Sequence, residues 1–245
     1  MYEMIDFHCH PDLYNNNFKI LRYAEENNFK IIAMTNLPGL YKQYKDRFNN
    51  ENAMRISLGY HPQLIEDYPN EIKVFLKYVK EAKFIGEVGL DISSSKSKNI
   101  EKQKEIFSKI IYECNRLGNK IISIHSRKAD HIIFNYLKKG NCIYILHWYT
   151  GNIKRLLHAM SNDDNIYVSI NLNMTSTING RKLIESVPLS KILLETDAPF
   201  TKETSTEYPK SILNNIANEI AKIKDCDPQE AVSKIKDNSY KILCL

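Results

Sequence analysis

The sequence predicts an α/β fold of the (β/α)8 barrel type, and three observations lead there. Short apolar, β-rich runs alternate with longer helical segments eight times along 245 residues, the pattern of βαβ units that build a parallel sheet. Five of those runs end on His, Glu or Asp, and barrels carry their sites at the carboxyl ends of strands. Finally, no G-x-G-x-x-G follows the first strand and no G-x-x-x-x-G-K-[ST] occurs anywhere, which disfavours a doubly wound open sheet, the alternative arrangement.

The first strand is the apolar run 4–7, which closes on His8-Cys9-His10. The helix expected at 17–27 leads to a second strand at 30–34, and one at 39–50 to a third at 54–60. A helix at 69–81 precedes the fourth strand, 83–88, which runs into Glu87. The longest helix, 99–118, places Ile100, Phe107, Ile110, Ile111, Cys114 and Leu117 at spacings of three, four and seven. That spacing marks one buried stripe, and Gly118 is a helix stop. Strands five to eight are expected at 120–125, 142–147, 165–170 and 191–195, with His125, His147 and Asp197 at the ends of the fifth, sixth and eighth. Helices at 127–139, 151–160 and 176–186 separate them, and 209–223 and 227–241 follow. The least regular stretch, 198–210, reads as a loop over the site.

Composition sets broad limits. The chain is 43% hydrophobic and 26% charged, ordinary for a soluble globular protein, and residues 1–245 fit one domain of barrel size. No apolar stretch is long enough to span a bilayer, and the N-terminus lacks the basic and apolar regions of a signal peptide. Five cysteines without C-x-x-C spacing read as reduced thiols in a cytoplasmic protein. Net charge is +5, and residues 96–139 hold eleven Lys or Arg against four acids. This excess suits a polyanion such as nucleic acid, or equally a solvated Lys-rich helix face.

His8 and His10 share one face of an extended segment, because side chains alternate with period two. Two imidazoles on one face can hold one divalent ion. A barrel gathers His8, His10, Glu87, His125, His147 and Asp197 onto the same rim. Six donors suffice for two ions if one carboxylate bridges, and Glu87 lies between the two groups in strand order. Two ions can stabilise the attacking and leaving oxygens of a phosphoryl displacement and lower the pKa of bound water. Asp197 can serve both as ligand and as the base that orients or deprotonates that water. Mixed imidazole and carboxylate donors do not select among Mg2+, Mn2+ and Zn2+.

These residues fall in motifs: Asp6-Phe-His8-Cys-His10, Gly59-Tyr-His61-Pro62, Gly86-Glu-Val-Gly-Leu-Asp91, Ile124-His125-Ser-Arg127, His147-Trp-Tyr-Thr-Gly151 and Leu194-Glu-Thr-Asp-Ala-Pro199. In order and spacing they cover roughly residues 4–200, and the chain resembles the TatD-type metal-dependent deoxyribonucleases of the amidohydrolase-like barrels. Asn238 fits a weaker C-terminal motif. The resemblance implies a metallo-dependent hydrolase that cleaves DNA ends. It assigns His8, His10, Glu87 and Asp197 to one ion and Glu87, His125 and His147 to the other. Leu58–Leu64, Ser123–Ala129 and His147-Trp148 look similar to the nucleases of Qat anti-phage systems, which implies protein partners of a defence system. Two departures stand out. Residues 201–210 replace the Arg-rich Asn-x-Pro stretch of typical members, and Pro11 stands where they carry an apolar residue.

Other residues carry two readings each. His61 faces the rim as a phosphate or leaving-group contact, or fixes its loop. Arg127 clamps a phosphate in a bidentate manner or forms an ion pair at the start of the next helix. Asp91 orients a ligand histidine or caps its loop. Glu195 points inward beside Asp197 or sits in a buried ion pair. Trp148 and Tyr149 stack on a base or pack. His131 and His158 lie within helices and read as surface residues, and Cys9 as core. Three functions compete: a phosphodiesterase acting on DNA, an amide or ester hydrolase such as an aminoacyl-tRNA deacylase, and a non-catalytic subunit of a defence complex.

Overall fold

A computed structural model describes residues 4–14, 17–48, 52–93, 99–205, 207–209 and 211–244. Their order is β1 (Met4–Cys9), α1 (Asn17–Glu26), β2 (Phe29–Ala33), α2 (Pro38–Arg47), β3 (Met54–Ile56), β4 (Leu58–Tyr60), α3 (Glu71–Tyr78) and β5 (Phe84–Gly89). Then come α4 (Ile100–Leu117), β6 (Ile121–His125), α5 (Asp130–Ile133), β7 (Ile143–His147), α6 (Ile153–Asn162) and β8 (Ile166–Ile170). The chain continues through α7 (Leu172–Ser176), α8 (Ile178–Ser186), β9 (Ile192–Leu194), α9 (Ile212–Lys224) and α10 (Pro228–Leu243). Strands and helices alternate as expected, and the sheets run β1-β2-β3 and β4-β5-β6-β7-β8-β9. The pairs β1/β2, β4/β5, β5/β6, β6/β7 and β8/β9 are parallel. Every residue of β1, β5, β7 and β8 is buried. Parallel strands covered on both faces therefore read as unbroken apolar runs rather than alternating ones.

Two compact units share the chain. The first holds residues 1–33, 50–55 and 168–245, the second residues 34–49 and 56–167. In the first, the chain leaving β9 hydrogen-bonds to the end of β1: Asp197 N–H donates to His8 O at 2.8 Å, and His10 N–H to Ala198 O at 2.8 Å. In the second, the ladder slips between Ile85 and Val88 of β5, around Glu87. Gly86 and Gly89 sit at φ +150° and +147°, and a Cβ at Gly89 would stand 2.0 Å from His125 O. Glycine is required on both sides because only it tolerates such backbone and such approach.

The structure corrects several boundaries. The expected strand 54–60 is two strands. Thr35 Oγ1 donates to Ser57 O at 2.8 Å and accepts from Gly59 N–H at 3.0 Å, so a side chain takes the place of ladder bonds at the break. The expected helix 127–139 shrinks to α5, four residues. Lys128 before it is left-handed at φ +58°, and after it Asn135 and Tyr136 N–H donate three residues back, to Ile132 and Ile133 O. The expected helix 176–186 is α8, which starts at Ile178 with the Thr177 hydroxyl as cap through Gly180 N–H at 3.1 Å, and a short α7 not expected from the sequence precedes it. Helix 39–50 ends by Arg47, and its last two expected residues lie outside the described residues. The 198–210 segment carries a 3-10 turn at Lys202–Thr204.

The basic stretch is partly neutralised. On α4, Lys104 pairs with Glu101, Lys109 with Glu105 and Arg116 with Glu113, which favours the solvated-face reading there. Lys120 is buried, donating to Lys80 O and Ala82 O. Lys96 and Lys98 lie outside the described residues. All five cysteines are free thiols. No described helix is long and apolar enough to cross a membrane.

Candidate metal centre

In the first unit, the period of β1 does what the sequence predicts. His8 and His10 present their Nε2 atoms to each other at 3.1 Å. Asp197 Oδ1 stands 3.6 Å from His8 Nε2 and 3.7 Å from His10 Nε2. All three residues are buried. Asp197 reaches this position in a left-handed backbone conformation, φ +48°, an unfavourable state for a residue with a Cβ. Asp6 holds the arrangement in place. Its Oδ1 accepts from His8 N–H at 3.1 Å and Thr196 N–H at 3.0 Å, and its Oδ2 from Thr196 Oγ1 at 2.6 Å and Tyr208 OH at 2.9 Å. One carboxylate thus ties the end of β1 to the turn that carries Asp197. Burial pushes the Asp6 carboxyl up to about 6, against the lowering effect of these bonds.

Glu195 is fully buried, and Ser169 Oγ and Asn171 Nδ2 donate to it. Burial first, and the neighbouring Asp197 charge second, push its carboxyl well above the usual carboxylate range. A hydroxyl and an amide are thus among its partners. Cys9, between the two histidines, is core.

In the second unit, Glu87, His125 and His147 converge from β5, β6 and β7. Glu87 Oε1 lies 2.5 Å from His125 Nδ1 and 2.9 Å from His147 Nε2, and those two ring nitrogens are 3.4 Å apart. Asp91 Oδ2 bonds the far side of the His125 ring, at 3.0 Å from Nε2. The same carboxylate caps its own loop, with Oδ1 accepting from Ser93 N–H and Oγ at 2.7 Å. Asp91 fills both expected roles. Burial opposes its charge, but the bonds from His125 and Ser93 hold its carboxyl well below the usual range. For His125, burial works downward and the Glu87 and Asp91 carboxylates outweigh it, raising the ring to about 9.

His61 fills the loop-fixing role. Its Nδ1 accepts from Gln63 N–H at 3.2 Å, fixing the turn, while its Nε2 faces Glu87 Oε1 at 3.6 Å. A neutral ring that accepts at Nδ1 carries its proton on Nε2, so His61 is built as a donor on the Glu87 side. Arg127 is exposed, and its guanidinium makes no hydrogen bond or ion pair among the described residues. The ion pair expected for it at the next helix belongs to Arg155, which binds Asp130 at the start of α5. Tyr149 is buried and donates to Asp130 Oδ2 at 3.0 Å, so it packs rather than stacks. Trp148 is half-buried at φ +37°. His131 and His158 are exposed on α5 and α6.

Both clusters are made of donor types that hold divalent ions. Donors about 2.1 Å from a tetrahedral ion stand roughly 3.4 Å apart, and the first cluster spans 3.1 to 3.7 Å. The second spans 2.5 to 3.4 Å, tighter because Glu87 and His125 share a hydrogen bond. His125 is oriented from behind by a carboxylate, the usual support for a metal-binding imidazole.

The sequence did not single out the residues that hold these donors. Gln63 Nε2 donates to Asp91 Oδ2 at 2.7 Å, and Gln103 on α4 bonds both backbone groups of Asp91, accepting from N–H at 2.9 Å and donating to O at 3.2 Å. The available signal was Gln103 itself, a polar residue four positions before Phe107 in the apolar stripe of α4.

Known proteins place this geometry in a family. An uncharacterized metal-dependent hydrolase of Methanocaldococcus jannaschii is 28% identical over 253 residues, covering 98% of this chain and 95% of its own. Human deoxyribonuclease TATDN3 is 24% identical over 270 residues, covering 98% and 94%. The crystal structure of YjjV, a TatD homologue from Escherichia coli, superposes with a TM-score of 0.83 at 18% identity, covering 98% of this chain and 97% of that one. The fold is the TIM-barrel fold of the TatD and amidohydrolase proteins, as the strand–helix pattern predicts. The TatD-related DNase model matches residues 5–243, and the chain, a metal-dependent hydrolase, belongs to that family.

Proposed function

We propose that this hydrolase cleaves phosphodiester bonds of DNA from its ends, using two divalent ions, Mg2+, Mn2+ or Zn2+. One observation carries the reading: two sets of imidazole and carboxylate donors, His8/His10/Asp197 and Glu87/His125/His147, whose donor atoms lie 3.1 to 3.7 Å and 2.5 to 3.4 Å apart. Two ions suit a phosphoryl displacement better than a single-ion hydrolysis needs. The membership in a DNase family and the deoxyribonuclease named among the relatives support the substrate class.

The ions, when bound, supply positive charge at the phosphate and acidify coordinated water. The chain's residues do the rest. Asp197, held by the backbone bond to His8 O, takes the proton of the attacking water. His61 donates from Nε2 to a phosphate oxygen, because its other nitrogen is committed to the turn. Arg127, exposed and without an acidic partner, meets the phosphate through its forked donors. Trp148 contributes a ring face beside His147. Glu195 and Asp91 hold Asp197 and His125 in position.

The free thiols suit a reducing compartment, and we place the protein in the cytoplasm. The segments 58–64, 123–129 and 147–148 support a role in anti-phage defence with partner proteins. Loss of plaque protection on replacing Asp197 in an intact defence operon would bear this out, and full protection would remove it. The activity itself is tested by incubating purified protein with labelled single- and double-stranded DNA, RNA and a p-nitrophenyl ester, with and without EDTA. Chelator-sensitive shortening of DNA from its ends is expected. Ester cleavage alone would move the protein to the amide and ester hydrolases, and no turnover on any substrate to a non-catalytic role.

A further inference from the structure

We infer that Phe200 is a stacking platform for a nucleobase next to the hydrolysed bond, an inference that rests on the phosphodiesterase reading. Phe200 is 58% exposed, although it follows Asp197 by three residues. The chain around it is pinned: Phe200 N–H donates to Asp197 O at 2.8 Å, and Ala198 O accepts from His10 N–H at 2.8 Å. Ala198, Thr201 and Thr204 beside it are buried, and the two threonine hydroxyls bond each other at 2.7 Å. Tyr14 OH donates to Thr204 O and fastens the far side of the turn. A large apolar ring is therefore held outward by a rigid segment rather than left on a loose one.

Among the described residues its one ring contact is with His10, centroids 5.3 Å apart at 83°. An edge-to-face contact uses at most one face of Phe200, and more than half of the residue's surface is exposed. Anything stacked there lies within one nucleotide's length of the His8/His10/Asp197 donors. Leu13, bonded through its N–H to His10 O, is a further exposed apolar side chain, at 45%. A protein partner would need about 800 Å² from this side, far more than one ring and one leucine offer. A single base is the right size, and every base has a π-face to place on it. This chain lacks the Arg-rich stretch that follows in typical members of the family, so a stacking contact here takes over part of the grip on substrate.

The test compares short single-stranded oligodeoxynucleotides that carry either a base or an abasic sugar at the terminal two positions. Binding is read by fluorescence anisotropy without added metal, and cleavage separately with metal. Phe200→Ala is expected to weaken binding of the base-bearing strand roughly 10-fold to 100-fold, the range for loss of one stacked base. Phe200→Trp should restore it, and the abasic strand should bind wild type and Phe200→Ala alike. Equal loss on both strands, or no loss on either, overturns the platform while leaving the phosphodiesterase reading intact if wild type cleaves. Base-dependent binding through Phe200 without any cleavage sinks that reading and keeps the platform. If wild type neither binds nor cleaves DNA, both fail.

Discussion

At the scale of single residues, the donors divide into those that hold an ion and those that hold the donors. In the proposed mechanism Asp197 is both a ligand and the base that takes the proton of the attacking water. Removing a positioned base costs about 10²–10⁴-fold, so Asp197→Asn should stay folded and lose at least about 10²-fold of metal-dependent turnover, checked by circular dichroism and initial rates. His158→Ala, on the exposed face of α6, should match wild type in both. Asp91 sits on the far side of the second cluster. Its carboxylate accepts from the His125 ring, and loss of such support typically weakens metal affinity 10- to 100-fold. Asp91→Ala should show that loss in a competition titration with a zinc chelator, and unchanged affinity would make Asp91 a loop cap alone. Metal content of Glu87→Gln speaks to the assignment the family resemblance makes: loss of both ions is expected if Glu87 serves both, and loss of one removes that sharing. That His8 and His10 share one face was legible from their spacing. The supporting partners of Asp91 and Asp6 were not, because a hydrogen bond between residues 12 or 190 positions apart leaves no periodic trace.

At the scale of elements, α4 shows where sequence pattern and packing part. Of its expected apolar stripe, Phe107, Ile110, Ile111 and Cys114 are buried while Ile100 and Leu117 are half-buried, and Ile106 and Gln103 are buried with the first four. Asn99 caps its start through Lys102 N–H at 3.0 Å, and Gly118 ends it at φ +70°. Gln103→Leu keeps the bulk but leaves Asp91 N–H and O without these bonds. An orphaned buried group costs about 1–3 kcal/mol, which urea denaturation should read as a lower midpoint with an unchanged slope. An unchanged midpoint would mean water replaces the glutamine. The misjudged elements share a cause. Helix 127–139 and strand 54–60 have adequate local propensity, but a left-handed Lys128 and an inserted Thr35 hydroxyl interrupt them. The hydroxyl comes from more than twenty positions away in sequence.

At the scale of the whole molecule, the candidate metal groups come from strand ends that the chain visits in turn, and binding there is linked to stability. A ligand bound only by the folded state stabilises by about 2.7 kcal/mol at a hundredfold excess over its Kd. EDTA should therefore lower the Tm reversibly, with Mn2+ or Zn2+ restoring it; a Tm indifferent to chelation and metal would argue against resident ions. What the sequence by itself determined is the alternation of strands and helices, the parallel character of the sheets and which residues end the strands. These follow from local periodicity and from burial on both strand faces. What only the tertiary structure decided is which nitrogen of each imidazole faces its partners, that one Asp6 carboxylate fastens β1 to the turn of Asp197, that Arg155 rather than Arg127 binds Asp130, and that Phe200 is held outward. Those are outcomes of packing between segments far apart in the chain. A one-dimensional pattern encodes the face a side chain is on, and only the assembled neighbours fix what it meets there.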